Sequence, residues 1–108
     1  MPSKRERIET MLQERPGDAF LNYSLAMEHL SDTESPVDEM AAIGSLERVL
    51  EADAGYVPAY LQLGMLHSRR DDAAQSRQVL EAGIAVAQQA NDTHAISEMQ
   101  AVLDSLPD

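Results

Sequence analysis

The sequence predicts an all-α protein, and three observations support that fold class. Apolar residues recur at spacings of three and four along most of the 108-residue chain, which places them on one stripe of a helix. No segment shows the regular apolar and polar alternation of a half-buried strand. Proline, glycine and polar runs interrupt the apolar pattern, so the connectors are short and consecutive helices run antiparallel. We therefore expect about six helices in a single domain covering residues 1–108.

Residues 1–30 predict two helices. Ser3 followed three residues later by Glu6 is a capping box, which begins the first helix. Pro16 and the glycine after it end that helix. A second helix follows over about residues 18–30, and its apolar side chains cover more than one face. They are Phe20, Leu21, Tyr23, Leu25, Ala26, Met27 and Leu30.

The third helix begins near Pro36, after the polar connector 31–35. Ser35 is suited to be its N-cap, and proline is favoured at the first helical position. Gly44 lies inside this helix, where it costs about 1 kcal/mol relative to alanine unless close packing uses it. Gly55 marks the end of the helix. Its expected apolar face consists of Met40, Ala42, Ile43, Leu46, Val49 and Leu50.

Three more helices follow, separated by short turns. The fourth and fifth cover about residues 57–70 and 72–89, and a charged turn joins them. Residues 91–93 cap a sixth helix, and Pro107 stops it. The apolar stripe of the sixth helix is formed by Ile96, Met99, Val102, Leu103 and Leu106.

The second and third helices and the fourth and fifth helices form two copies of one sequence repeat. Phe20 and Tyr60 occupy matching places 40 residues apart, and removing a six-residue insertion near residues 31–36 leaves a period of 34. The second unit carries a spaced set of large and small residues, namely Tyr60, Leu63, Gly64, His67, Ser76 and Leu80. The matching residues of the first unit are Phe20, Tyr23, Ser24, Met27, Ala42, Leu46 and Ala54.

On these residues the chain resembles the tetratricopeptide repeat family, in the form of a small bacterial-type member. The resemblance implies a short right-handed helical solenoid made of two repeats with flanking helices. It assigns residues 1–16 to an N-terminal flanking helix and 17–56 to the first repeat with its insertion. Residues 57–90 form the second repeat, and 91–108 form a capping helix.

The resemblance also implies binding of a peptide or helix of another protein in an apolar concave groove, lined by the first helix of each repeat. The residues expected to line or surround this groove are Leu21, Asn22, Leu25, Glu28, His29, Leu61, Gln62, Met65 and Arg69. The alternative is that the last helix folds against this leucine and methionine row, which would then be core. The residues that would cover it are Ile96, Met99 and Leu103.

Charge restricts the partners. The net charge of −11 repels phosphate, which argues against nucleic acid and anionic membranes as partners and favours a basic protein segment. No apolar run approaches the roughly 20 residues needed to span a bilayer, and the start of the chain has no apolar signal region. We therefore expect a cytoplasmic protein. The acidic surface with a single lysine, Lys4, fits either adaptation to high salt or an ordinary acidic bacterial protein.

No residues suggest catalysis. The three histidines lie on different helices without metal-ligand spacing, and cysteine is absent. His67 stands where the repeat has a packed tyrosine, which favours a buried structural histidine. His29, beside Glu28 and Asp32, is interpreted as a solvated helix end rather than an acid/base group. Phosphate-binding and nucleophile motifs are missing, so we expect no enzymatic activity, no metal and no cofactor.

Two functions remain. The first is a protein-protein interaction scaffold that binds a peptide or amphipathic helix of a partner. The second is a homodimer in which the same apolar row is buried against another copy of the chain, with no separate ligand.

Overall fold

The computed structural model of the chain describes residues 1–32 and 36–107, and every regular element within those ranges is an α-helix. The helices are α1 (Lys4–Glu14), α2 (Ala19–Asp32), α3 (Pro36–Ala52), α4 (Val57–Arg69), α5 (Ala73–Gln89) and α6 (Thr93–Ser105). The predicted all-α class is confirmed. Residues 33–35 of the predicted connector, including the expected N-cap Ser35, lie outside the described residues, whereas residues 31 and 32 belong to α2 rather than to the connector.

The start of α1 confirms the predicted capping box. The Ser3 side chain accepts a hydrogen bond from the Glu6 backbone N–H at 3.1 Å, and the Ser3 backbone N–H donates to the Glu6 carboxylate at 3.2 Å. These bonds satisfy two donors that a helix N-terminus would otherwise leave without partners. Two side chains three residues apart therefore fix where the chain becomes helical.

Two connectors in the second half of the chain share one construction. After α4, Asp71 takes a left-handed conformation with φ of 63°, and the backbone N–H of Asp72 bonds to the His67 carbonyl at 2.9 Å. This is a Schellman-type helix end. The Asp72 carboxylate then accepts a backbone N–H of α5 at 3.1 Å and caps that helix. Asn91 and Asp92 repeat the arrangement between α5 and α6.

The chain divides into two compact units, Met1–Ala54 with α1 to α3 and Gly55–Asp108 with α4 to α6. The division falls beside the predicted boundary between the repeats, which was placed after residue 56. The assignment of a single domain with flanking and capping helices stays a prediction.

The core of the first unit lies between the antiparallel helices α2 and α3, with α1 packed against α2. The expected inner face of α3 is confirmed for Ala42, Leu46 and Val49, which are fully buried. Met40, expected on the same face, is instead 55% exposed. Its position on the helix is closer to the outer stripe than to the inner one, so its apolar character misled the assignment.

The core of the second unit lies between α4 and α5, with α6 packed against both. Two glycines permit this packing. A Cβ atom on Gly64 would collide with the Leu80 side chain, and one on Gly83 would collide with Tyr60 and lie 2.7 Å from the sulfur of Met99. Close approach of helices at these positions therefore requires glycine.

Candidate functional site

The part of the predicted groove that lies on α2 is buried. Leu21, Asn22, Leu25 and His29 all belong to the interior of the first unit, and Glu28 is half-buried. The expectation that the leucine row is open to a partner therefore fails for α2. The physical reason is the position of α1.

An ion pair shows that α1 lies along this row. The Lys4 ammonium is 3.3 Å from the Glu28 carboxylate, and it joins α1 to α2. Leu21, Leu25 and Glu28 lie on the same stripe of α2, because Leu25 is four residues after Leu21 and Glu28 is three residues after Leu25. Because α1 contacts α2 and Ile8 of α1 is 4% exposed, the helix covers the stripe that was expected to face a ligand.

Asn22 has a structural role. Its side-chain amide donates to the carbonyls of Pro16 at 3.1 Å and Asp18 at 2.9 Å, so it fixes the turn between α1 and α2. Its oxygen accepts a hydrogen bond from the Arg48 guanidinium of α3 at 3.3 Å. With both ends of the amide bonded and the side chain buried, Asn22 has no group to offer a partner.

His29 is buried rather than solvated, so the sequence-based interpretation of this residue was wrong. Its Nδ1 atom lies 3.9 Å from an Asp38 carboxylate oxygen, which is too long for a hydrogen bond, and it has no hydrogen-bond partner in the described part of the chain. Burial lowers the pKa of His29 from the ordinary value of 6.5; the positive charges of Arg5 and Arg48 act in the same direction, and Asp38 and Glu9 oppose it.

The part of the predicted groove on α4 is more accessible. Leu61, Gln62 and Met65 are half-buried, and Arg69 is exposed. The spacing of these residues places them on one stripe of α4, here called the α4 row. Helix α6, which was the alternative cover for the row, packs against α4 and α5 with Met99 at Gly83, and the α4 row keeps part of its surface.

The remaining histidines lie in different surroundings. His67 is half-buried, whereas a buried structural histidine was expected there. His94 is exposed and lies 3.2 Å from Glu98 one helical turn away. Among the described residues, no three histidine, cysteine or acidic side chains are grouped as metal ligands would be. Within those same ranges, none of the helices combines the length and apolar character that crossing a membrane requires.

Comparison with known proteins decides the family. A crystal structure of a tetratricopeptide repeat domain protein from Salinibacter ruber matches with a TM-score of 0.71 and 31% identity, over 80% of this chain and 92% of that chain. The chain belongs to the tetratricopeptide repeat (TPR) family. A solution structure of a TPR domain protein from the same organism agrees, with a TM-score of 0.71, 32% identity, and coverage of 82% of this chain and 85% of that one.

A third solved structure extends the similarity to most of the TPR chain. It is the solution structure of a protein from Bordetella parapertussis, with a TM-score of 0.78 and 29% identity over 96% of this chain and 87% of the other. No protein-family model matches the sequence, and no curated protein matches it significantly. The TPR fold is that of a protein-interaction repeat scaffold.

Sequence reasoning missed two strongly exposed apolar residues of this TPR protein. Phe20 is 67% exposed and Val37 is 78% exposed, although apolar character suggested core or left the residue unassigned. The repeat correspondence equated Phe20 with Tyr60, which is only 8% exposed. A helical wheel of α3 alone would have placed Val37 opposite Ala42 and Leu46, which is the signal that could have identified it.

Proposed function

We propose that this TPR protein is a non-enzymatic cytoplasmic scaffold that binds a peptide or an amphipathic helix of another protein on the α4 row. The observation that carries the proposal is the partial exposure of Leu61 and Met65 between the polar side chains of Gln62 and Arg69. An apolar strip with a polar rim is the usual composition of a peptide-binding surface.

The energetic argument concerns the apolar area that remains on α4. Full burial of a leucine or methionine side chain contributes about 1.5–3 kcal/mol, so two half-buried residues can still contribute part of that amount on binding. Gln62 and Arg69 supply a hydrogen-bonding amide and a charged fork, which would fix the orientation of the ligand. The buried groove residues on α2 then serve the fold of the first unit, and Glu28 contributes through its ion pair with Lys4.

The test uses the methionine methyl groups as reporters. The protein is labelled with ¹³C at the methyl groups of its six methionines and titrated with a panel of helical peptides of graded charge. We expect a bound peptide to shift the Met65 signal while the signal of Met99, which is fully buried, stays in place. The variant Met65→Glu should fold normally and lose this binding, because a carboxylate interrupts the apolar strip.

Gln78→Glu is the matched control, because it introduces the same charge at an exposed position of α5 outside the α4 row. Light scattering checks the self-association alternative. A mass of twice 11.9 kDa that returns to the single value in Met65→Glu would replace the partner-binding proposal with a homodimer. Loss of folding in Met65→Glu, seen as a collapsed far-UV CD spectrum, would show that the α4 row is core.

A further inference from the structure

The outer face of α3 carries apolar residues that the first unit does not use. The opposite face, with Ala42, Leu46 and Val49, is fully buried, whereas Val37 is 78% and Met40 55% exposed. Spacings of three and four place a line of five residues on the outer side of the helix. We call this line the α3 stripe, and it consists of Val37, Met40, Gly44, Glu47 and Glu51.

Gly44 lies at the middle of the α3 stripe, and the packing of the described residues does not require a glycine there. A Cβ atom there would meet, among the described residues, only the end of the Arg48 side chain, at an ordinary contact distance of 3.7 Å. Gly64 and Gly83 of the second unit differ, because their missing Cβ atoms make room for neighbouring helices. A helix-interior glycine is unfavourable, and no neighbouring helix of the described residues uses the space that Gly44 leaves.

The charges of the α3 stripe lie at its C-terminal end. Glu47 and Glu51 are exposed there, where the helix dipole is also negative. The single basic residue of α3, Arg48, is held by hydrogen bonds from its guanidinium to Asn22 of α2 at 3.3 Å and to the Ser45 hydroxyl at 3.2 Å, with its remaining nitrogen at the edge of the stripe beside Gly44. The stripe is therefore apolar at one end, flat in the middle and acidic at the other.

We infer that the α3 stripe is a second docking surface, and that its occupant is a cationic amphipathic helix of another protein. The stripe is about 21 Å long, which matches four turns of a partner helix. Apolar side chains of that helix would cover Val37 and Met40, and its backbone would approach at Gly44. Its lysine or arginine side chains would pair with Glu47 and Glu51.

Charge also decides between a foreign partner and a second copy of the chain. Another copy would bring an equal net charge of −11 to an acidic face, and the two would repel each other. A cationic helix gains attraction instead and is captured faster at low salt. The inference rests on the proposed scaffold function but places this contact on α3 of the first unit rather than on α4.

The experiment uses a defined probe with the 108-residue chain, labelled with ¹³C at the methionine methyl groups and with ¹⁵N at the backbone amides. The probe is an acetylated helix of about 18 residues with leucine and alanine on one face and lysine on the other. A peptide of the same composition in scrambled order, and a leucine and glutamate version, serve as controls. We expect the cationic amphipathic probe to shift the Met40 methyl signal and the Gly44 amide, with weaker binding at higher salt.

Gly44→Ala separates a binding role from a structural one. Alanine favours the helix and meets no obstacle at this position, so the melting temperature should rise while the probe binds several-fold more weakly. The pair Glu47→Gln and Glu51→Gln should weaken binding by about fivefold. Glu14→Gln and Glu81→Gln form the matched control, because both glutamates are exposed and neither lies on α3.

The outcomes distinguish the two surfaces. A shift at Met65 without one at Met40 overturns the α3 stripe and leaves the proposed function intact. A shift at Met40 alone supports the stripe and counts against the α4 row. Equal binding of the scrambled peptide, equal loss of binding in the control pair, or tighter binding in Gly44→Ala would each overturn the inference.

Discussion

Tyr60 and Phe20 occupy matching positions in the two repeats, and the helices that follow them, α5 and α3, carry different residues at the matching place. Tyr60 packs over Gly83, whose missing side chain leaves room for the ring. At the repeat period of 34, the residue matching Gly83 is Val49, a β-branched residue that is fully buried. Tyr60 is 8% exposed, whereas Phe20 is 67% exposed.

This difference predicts unequal effects of the same truncation. Tyr60→Ala should lower the free energy of unfolding by about 3 kcal/mol, since it leaves a cavity in the core of the second unit. Phe20→Ala removes a ring that is 67% exposed and should cost less than about 1 kcal/mol. Urea unfolding followed by CD measures both. Similar losses in the two variants would contradict the packing described for Gly83.

His29 predicts a dependence of stability on pH. Its pKa in the folded protein is below 6.5, mainly because burial disfavours the charged ring. When the pH falls below 6.5, the unfolded chain binds a proton that the folded chain still excludes, so the free energy of unfolding decreases. Above that pH the ring is neutral in both states, and the contribution is complete.

Unfolding experiments between pH 5 and pH 8 check this prediction. In the His29→Gln variant, the free energy of unfolding should decrease less at low pH, because the contribution of His29 is absent. His94→Gln is the control, because His94 is exposed and its removal should leave that part unchanged. An NMR titration in which His29 protonates at or above 6.5 in the folded protein would refute the direction of the shift.

At the level of elements, the connectors predict the cost of losing a cap. The Asp92 carboxylate accepts the Ala95 backbone N–H at 3.1 Å and so begins α6. Asp92→Ala should lower the free energy of unfolding by about 1 kcal/mol, because the first turn of α6 loses its acceptor. Asp92→Asn retains a capping oxygen and should stay close to the native protein in the same urea experiment. A full loss in the asparagine variant would mean that charge, rather than capping, is what matters.

Helix boundaries were predictable because their causes are local. Ser3, Pro16 and Asp92 act on backbone groups within a few residues, and the structure begins or ends helices beside each of them. The burial of the predicted groove residues on α2 was not predictable from such local causes. It depends on where α1 lies, and the ion pair between Lys4 and Glu28 spans residues far apart in the sequence. Spacing assigns residues to a stripe but not to the neighbour that will cover it.

For the whole molecule, the repeat spacing was enough to indicate the family, and the comparison with the Salinibacter ruber structures confirms it. The period of 34 follows from the sizes of packed helices, so it survives many substitutions. A binding surface has no such constraint, since it is defined by what remains uncovered after packing. Leu25 and Met65 have the same sequence signal, yet one is 7% exposed and the other keeps part of its surface.

In the connector between α4 and α5, a single residue both ends one helix and begins the next. Asp72 closes α4 with its backbone N–H and opens α5 with its carboxylate, so one position serves two helices. A fluorescent protein or affinity tag inserted directly after Asp72 would keep the backbone bond that closes α4 but remove the carboxylate cap from α5, so the insertion would destabilise the start of α5. Gln13 is exposed near the C-terminal end of α1, where no residue caps two helices, and it is the better place to attach a reporter dye.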